Sequence, residues 1–187
     1  MMKIYGSFTS PFVRHCRIVL LQTALPCEFV ETDIQQIGKI SPTQKLPLLI
    51  DGDLMLTDSS SILKYLREKS GAVFMSDLYD FELFNMSNTL MDASVNLYVM
   101  DLMDNITPEK SKYLQRQQSR ILSGLEALNE YDFEACEGLT DGKLRLACFL
   151  DWGIYRDMIN LKQLNNLSRF LDSVREDINF IKTCPPM

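Results

Sequence analysis

The stretch Lys3 to Leu20, KIYGSFTSPFVRHCRIVL, constrains the fold of this chain more than any other. Ile4 and Tyr5 read as a strand, Gly6 breaks the run, and Ser7, Thr9 and Ser10 crowd hydroxyls into the turn before Pro11. A helical period begins there at once. Ser10 suits the N-cap and Pro11 the first helical position, where its missing N–H costs nothing. The unpaired N–H groups of such a first turn carry partial positive charge, so the junction suits an anion. The helix is predicted over Pro11 to Thr23, with Phe12, Cys16, Val19, Leu20 and Thr23 on its apolar side. His15 and Gln22 fall on a wetter face, and Ala24-Leu25-Pro26 ends the helix.

A second strand follows over Cys27–Glu31. Residues 32–44 show no strong period and predict at most one short helical turn. Lys45 to Ile50 reads as a strand, Asp51-Gly52 as a hairpin turn, and Leu54 to Thr57 as the returning strand. Asp58 or Ser59 then caps a helix with Ile62, Leu63, Tyr65 and Leu66 on one side, ending near Lys69-Ser70-Gly71. Strands joined through a helix run parallel and a hairpin runs antiparallel. The βαβ-ββα order therefore predicts a mixed four-stranded sheet with helices on both faces, an α/β thioredoxin-like domain over residues 1–71.

Gly71 to Met75 reads as a linker, and residues 76–187 predict an all-helical domain. Its first helix, Asp77–Asp104, lacks Gly and Pro; Thr107-Pro108-Glu109 starts the next, with Leu114, Ile121, Leu125 and Leu128 inward. A loop over Tyr131–Leu139 precedes Thr140, which caps a helix through Leu146, Ala147, Leu150, Trp152, Ile154 and Tyr155. Two shorter helices, Lys162–Leu171 and Ser173–Ile181, complete the domain.

Charge excludes one class of partner. Residues 1–69 carry eight Lys and Arg against seven acids, while the remainder carries a net charge of −7. Between Lys69 and Lys110 there is no cation but seven acids, so nucleic-acid binding is not expected, since phosphate neutralisation needs clustered cations. No apolar run approaches the ~18 residues of a membrane span, and the N-terminus lacks the regions of a signal peptide. A cytoplasmic protein with no membrane association is expected. The five cysteines, Cys16, Cys27, Cys136, Cys148 and Cys184, are widely spread without ligand spacing, so neither a disulfide scaffold nor a metal site is expected.

Three places in the first domain carry chemistry. Ser10-Pro11-Phe12-Val13 occupies the turn where thioredoxin-like folds keep a redox C-P-x-C, and with Ser10 and Val13 there that disulfide chemistry is excluded. Ser10 either caps the helix alone or also donates a hydrogen bond to a bound thiolate. Leu46-Pro47 is either an ordinary trans proline at a strand start or a cis bond offering the Leu46 backbone to an extended ligand. Asp58-Ser59 is either a capping pair or a site for the ammonium and carboxylate of an amino-acid head group.

All three fall at matching places in one family. SFTSPFVRHCRIVL, SPTQKLPLLIDG and LTDSSSILKYL, with LRLACFLDWGIYR and INFIKTCPP in the helical part, resemble the glutathione S-transferases, in particular the compact bacterial members. The resemblance implies that Ser10 is the catalytic hydroxyl of a serine-type enzyme that stabilises the glutathione thiolate. It implies a cis Pro47, with Leu46 offering its backbone to the cysteinyl part of glutathione. Asp58 and Ser59 would hold the γ-glutamyl head group, and Lys45 or Lys39 the glycyl carboxylate. Phe12 completes the glutathione-binding set. Phe8, Phe12, Tyr98 and Met103 are positional candidates for a hydrophobic pocket. The implied function is attack of glutathione, as co-substrate without a metal, on a small hydrophobic electrophile in a detoxifying homodimer. The alternative is a non-catalytic binding or regulatory protein of the stringent-starvation type; a glutathione-dependent thiol reductase would need a cysteine where Ser10 stands.

Two departures from the family are visible. Residues 32–44 are short for a full second helix, which weakens the expected hold on the glycyl end. Thr140 is followed three residues later by Lys143 rather than an acid, which predicts lower stability of the helical domain.

Overall fold

The computed structural model describes residues 1–75, 77–134 and 138–186; Cys136 and part of the 131–139 loop lie outside these. The chain divides into two compact units, Met1–Ser76 with Arg175–Met187, and Asp77–Val174.

In the first unit β1 (Met2–Gly6) leads to α1 (Pro11–Thr23), then β2 (Cys27–Glu31), α2 (Ile34–Ile37), β3 (Leu48–Asp51), β4 (Leu54–Leu56) and α3 (Ser59–Lys69). The sheet order is β2-β1-β3-β4. β2 runs parallel to β1, and β3 and β4 are antiparallel to their neighbours. This is a thioredoxin-like sheet. β3 starts at Leu48 rather than Lys45, because Pro47 has no N–H to give a ladder. Gly52 takes φ +60 in the hairpin, a conformation other residues rarely adopt. α2 is a single turn capped by Asp33, whose carboxylate accepts from Gln36 N–H at 2.8 Å.

The core of this unit joins Ile4, Leu48 and Leu49 of the sheet to Val13, Ile18 and Val19 of α1 and Ile62, Leu63 and Leu66 of α3, all fully buried. Gly6 makes the approach of α1 possible, since a Cβ there would stand 2.5 Å from Val13 Cγ1. His15, expected on a wetter face, is fully buried as well. The reason is that α1 is covered twice, by α3 and by the C-terminal helix α8 (Ile178–Lys182). Arg14 Nη2 donates to Phe180 O at 3.0 Å, Arg14 Nε to Thr183 Oγ1 at 3.4 Å, and the guanidinium lies 3.8 Å from the Phe180 ring centroid. These bonds tie residues 175–187 to the sheet unit.

The second unit holds α4 (Leu78–Asp104), α5 (Lys112–Asn129), α6 (Asp141–Tyr155) and α7 (Asn165–Val174). Thr107-Pro108 opens only a 3₁₀ turn, Pro108–Lys110; Thr107 makes no capping bond, and Ser111 caps α5 instead by accepting from Leu114 N–H at 3.4 Å. α7 begins three residues later than the sequence predicts, where the Asn129 side chain accepts from Asn166 and Leu167 N–H at 3.1 and 3.3 Å. α8 likewise starts at Ile178, under the Asp177 cap.

The expected weakness at α6 is corrected by a distant residue. Every position from Asp141 to Leu150 is buried, so the N-terminal donors of α6 need partners. Thr140 Oγ1 accepts from Lys143 N–H at 3.3 Å, and Asp80 of α4 accepts from both the Thr140 hydroxyl and Gly142 N–H. Asp80 supplies the acid that position 143 lacks. Lys143 turns its ammonium onto Gly138 O at 3.0 Å. Among the described residues no helix is long and apolar enough to cross a membrane.

Candidate glutathione site

Strand register brings the separated motifs to one end of the sheet. Gly6 ends β1, and Tyr5 pairs with Leu48, so the Ser7–Ser10 turn and Leu46-Pro47 adjoin the same end. Leu56 pairs with Leu49 beside it, which delivers Asp58 there too. Because β2 runs parallel to β1, with Gly6 opposite Glu31, the 32–44 segment also leaves from this end.

Ser10 is the N-cap of α1: its Oγ accepts from Val13 N–H at 3.4 Å, and Pro11 stands at the first helical position. The turn is fixed by Ser7 Oγ, which accepts from Thr9 N–H at 3.3 Å and bonds the Thr9 hydroxyl at 3.1 Å. Capping uses a lone pair of Ser10 and leaves its own proton without an acceptor among the described residues. α1 holds no acid to offset the partial positive charge of its first turn, and two arginines lie further along it. Half-buried Arg17 stacks its guanidinium 4.5 Å from the Phe8 ring centroid, and Phe8 packs on Phe29 at 4.7 Å. Burial, with Arg14 nearby, holds the Arg17 guanidinium below its ordinary range. A hydroxyl with a proton to give therefore stands in a positive field.

The Leu46-Pro47 bond is cis, as the family resemblance implies. Pro47 is buried and Leu46 half-buried. Asp58 is the N-cap of α3; one carboxylate oxygen accepts from Ser60 N–H at 2.8 Å while the side chain stays exposed. Ser59 beside it is buried. Phe12 is half-buried in the first turn of α1, and Lys39 and Lys45 are both exposed without an ion-pair partner among the described residues. Met103 is exposed and Tyr98 meets Trp152 edge-on at 5.8 Å. Cys27 is half-buried, and burial pushes its thiol up to about 11, so it is no nucleophile at neutral pH. Among the described residues no group of three His, Cys, Asp or Glu is placed to hold a metal.

Ser7 and Thr9, which shape the turn, were visible only as hydroxyls in the run S-x-T-S. Arg17, whose stacking orders Phe8, gave no signal beyond its place on α1.

The fold is a thioredoxin-like sheet unit followed by a helical unit, with Ser10, the Leu46-Pro47 bond and Asp58-Ser59 at one end of the sheet. Residues 4–73 match the family described as glutathione S-transferase, N-terminal domain. It is 28% identical over 142 residues to a zeta-class glutathione S-transferase of Euphorbia esula, across 68% of this chain and 63% of that protein. It is 27% identical over 160 residues to glutathione S-transferase 3 of Schizosaccharomyces pombe, across 74% of this chain and 66% of that one. The chain thus spans about two thirds of the length of these relatives. In fold it is similar to a glutathione transferase family member from Pseudomonas fluorescens Pf-5 solved with bound glutathione, at 21% identity and a TM-score of 0.88 over 100% of both chains.

Proposed function

We propose that this protein is a serine-type glutathione transferase of the compact bacterial kind, working as a cytoplasmic homodimer on small hydrophobic electrophiles. The observation that carries the reading is the free proton of Ser10 at an α1 N-terminus without acids. Glutathione lies along the sheet end, its cysteinyl part against the Leu46 backbone beside Pro47. Asp58 and Ser59 take the γ-glutamyl ammonium and carboxylate, Lys45 or Lys39 the glycyl carboxylate, and Phe12 packs beside the peptide. Ser10 donates to the sulfur, and the first-turn amides of α1 favour its negative charge. Both lower the thiol pKa, since hydrogen bonds and positive charge favour the ionised form. The thiolate then attacks the electrophilic carbon, a C–S bond forms, and the leaving group departs with its electron pair. No metal enters this reaction; positioning and thiol activation account for it.

Steady-state conjugation of glutathione to 1-chloro-2,4-dinitrobenzene tests the assignment. Ser10→Ala removes one hydrogen bond to a charged group, so kcat/KM falls about 10- to 100-fold. The KM for glutathione changes little. A variant with full activity overturns the role of Ser10.

A further inference from the structure

Two bonds join Ser10 to the helix it caps. Its Oγ accepts from Val13 N–H at 3.4 Å, and its carbonyl accepts from Arg14 N–H at 3.0 Å. Pro11, next in the chain, has no N–H to add. A helix end held by so few bonds opens at little expense in free energy unless something outside the helix restrains it.

The Arg14 side chain supplies that restraint. It is 2% exposed and fastened to the C-terminal end of α8. Nη2 donates to Phe180 O at 3.0 Å and to Cys184 Sγ at 3.4 Å, and Nε donates to Thr183 Oγ1 at 3.4 Å. Arg17, one turn further along α1, donates from Nη1 to Thr183 O at 3.3 Å. Basic side chains suit such a place, since the last carbonyls of a helix lack partners within it. The other end of α8 is secured by Asp177, which accepts from Asn179 and Phe180 N–H at 2.9 Å each. With five residues, α8 is far below the ~12–15 that persist alone in water, so its place depends on these bonds. The dependence runs both ways, because letting go of Arg14 would strand a buried cation together with buried acceptors.

We infer that Arg14 is a positioning residue for Ser10, and that residues 177–184 are the anchor through which it acts. The inference rests on the reading of Ser10 as the hydroxyl that meets the glutathione thiolate. Arg14 holds Ser10 by its backbone N–H and α8 by its side chain, so the first turn of α1 cannot open without pulling on packed core. The Ser10 hydroxyl then keeps one direction, as a hydrogen bond to a single sulfur atom requires. Charge alone does not achieve this. A lysine at position 14 keeps the cation, but its ammonium does not reproduce the planar fork that reaches Phe180 O and Thr183 Oγ1 together.

The test uses Arg14→Lys and, as the milder change at the other end of the contact, Thr183→Val, with Thr183→Ser as the variant that keeps the hydroxyl. Amide hydrogen exchange of the full chain without glutathione reads the turn itself. Val13 N–H is expected to exchange about tenfold faster in Arg14→Lys and Thr183→Val, beyond any change at Ile4 and Leu49 of the sheet, and close to wild type in Thr183→Ser. Thiolate absorbance at saturating glutathione reads the consequence. The bound thiol is expected to ionise about half a pH unit or more higher in the first two variants, with kcat for conjugation down about 3- to 10-fold and KM for glutathione within about twofold. A loss of stability alone leaves the ionisation of the bound thiol where it was. Wild-type exchange at Val13 in Thr183→Val, or an unshifted thiol in these variants where Ser10→Ala shifts it, overturns the inference. A thiol that Ser10→Ala also leaves unshifted overturns the reading of Ser10 itself, and the inference with it.

Discussion

At the start of α6 a carboxylate from another helix has to satisfy the Thr140 hydroxyl and Gly142 N–H while buried itself. Burial pushes the Asp80 carboxyl above its ordinary range, and the bonds from Thr140 and Gly142 only partly pull it back. A carboxyl raised in the folded state contributes stability that is complete below its unfolded pKa and fades as pH rises through the folded value. Asp80→Asn keeps the acceptor without the charge. Urea unfolding across pH 3 to 8 is therefore expected to show wild type losing ground to Asp80→Asn as pH rises; a gain with rising pH contradicts the assignment. Asp80→Ala strands both donors and costs about 1–3 kcal/mol throughout. None of this was legible in sequence, because the acid lies 60 positions from the cap it completes. Ser10 was legible as a cap because Pro11 follows it directly. Its spare proton was not, since that depends on what surrounds the hydroxyl.

Elements with local signals were read well. α1 was bounded by its Ser-Pro start and Ala-Leu-Pro end, and the hairpin by Asp51-Gly52, with Gly52 at positive φ. Where a helix takes its cap from elsewhere, the sequence misplaces the start: α7 begins under the side chain of Asn129 rather than near Lys162. The burial of Arg14 and His15 was equally hidden, since α8 covers α1 from the far end of the chain. Contact between elements also sets what α1 tolerates. Gly6→Ala pushes a methyl into Val13, and the strain costs about 1–3 kcal/mol because both sides are packed core. Chemical denaturation is expected to show that loss, accompanied by weaker glutathione binding as the Ser10 turn moves. A variant as stable as wild type contradicts the close packing of α1 on β1.

At the scale of the whole chain, the βαβ-ββα order determined the sheet topology, and topology determined which loops share an end. That is why three motifs, each of which alone reads as a cap or a turn, converge on one end of the sheet. The helical unit was legible in its long periodic helices. Residues 4–73 match the glutathione S-transferase N-terminal domain family, and the proposed catalysis turns on Ser10. The most direct measurement is the ultraviolet difference spectrum of glutathione bound to wild type and to Ser10→Ala, titrated with pH. The account predicts that the bound thiol ionises about one pH unit or more below free glutathione, and that Ser10→Ala abolishes most of that shift. A bound thiol that ionises like the free one, or no binding at millimolar glutathione, would contradict it.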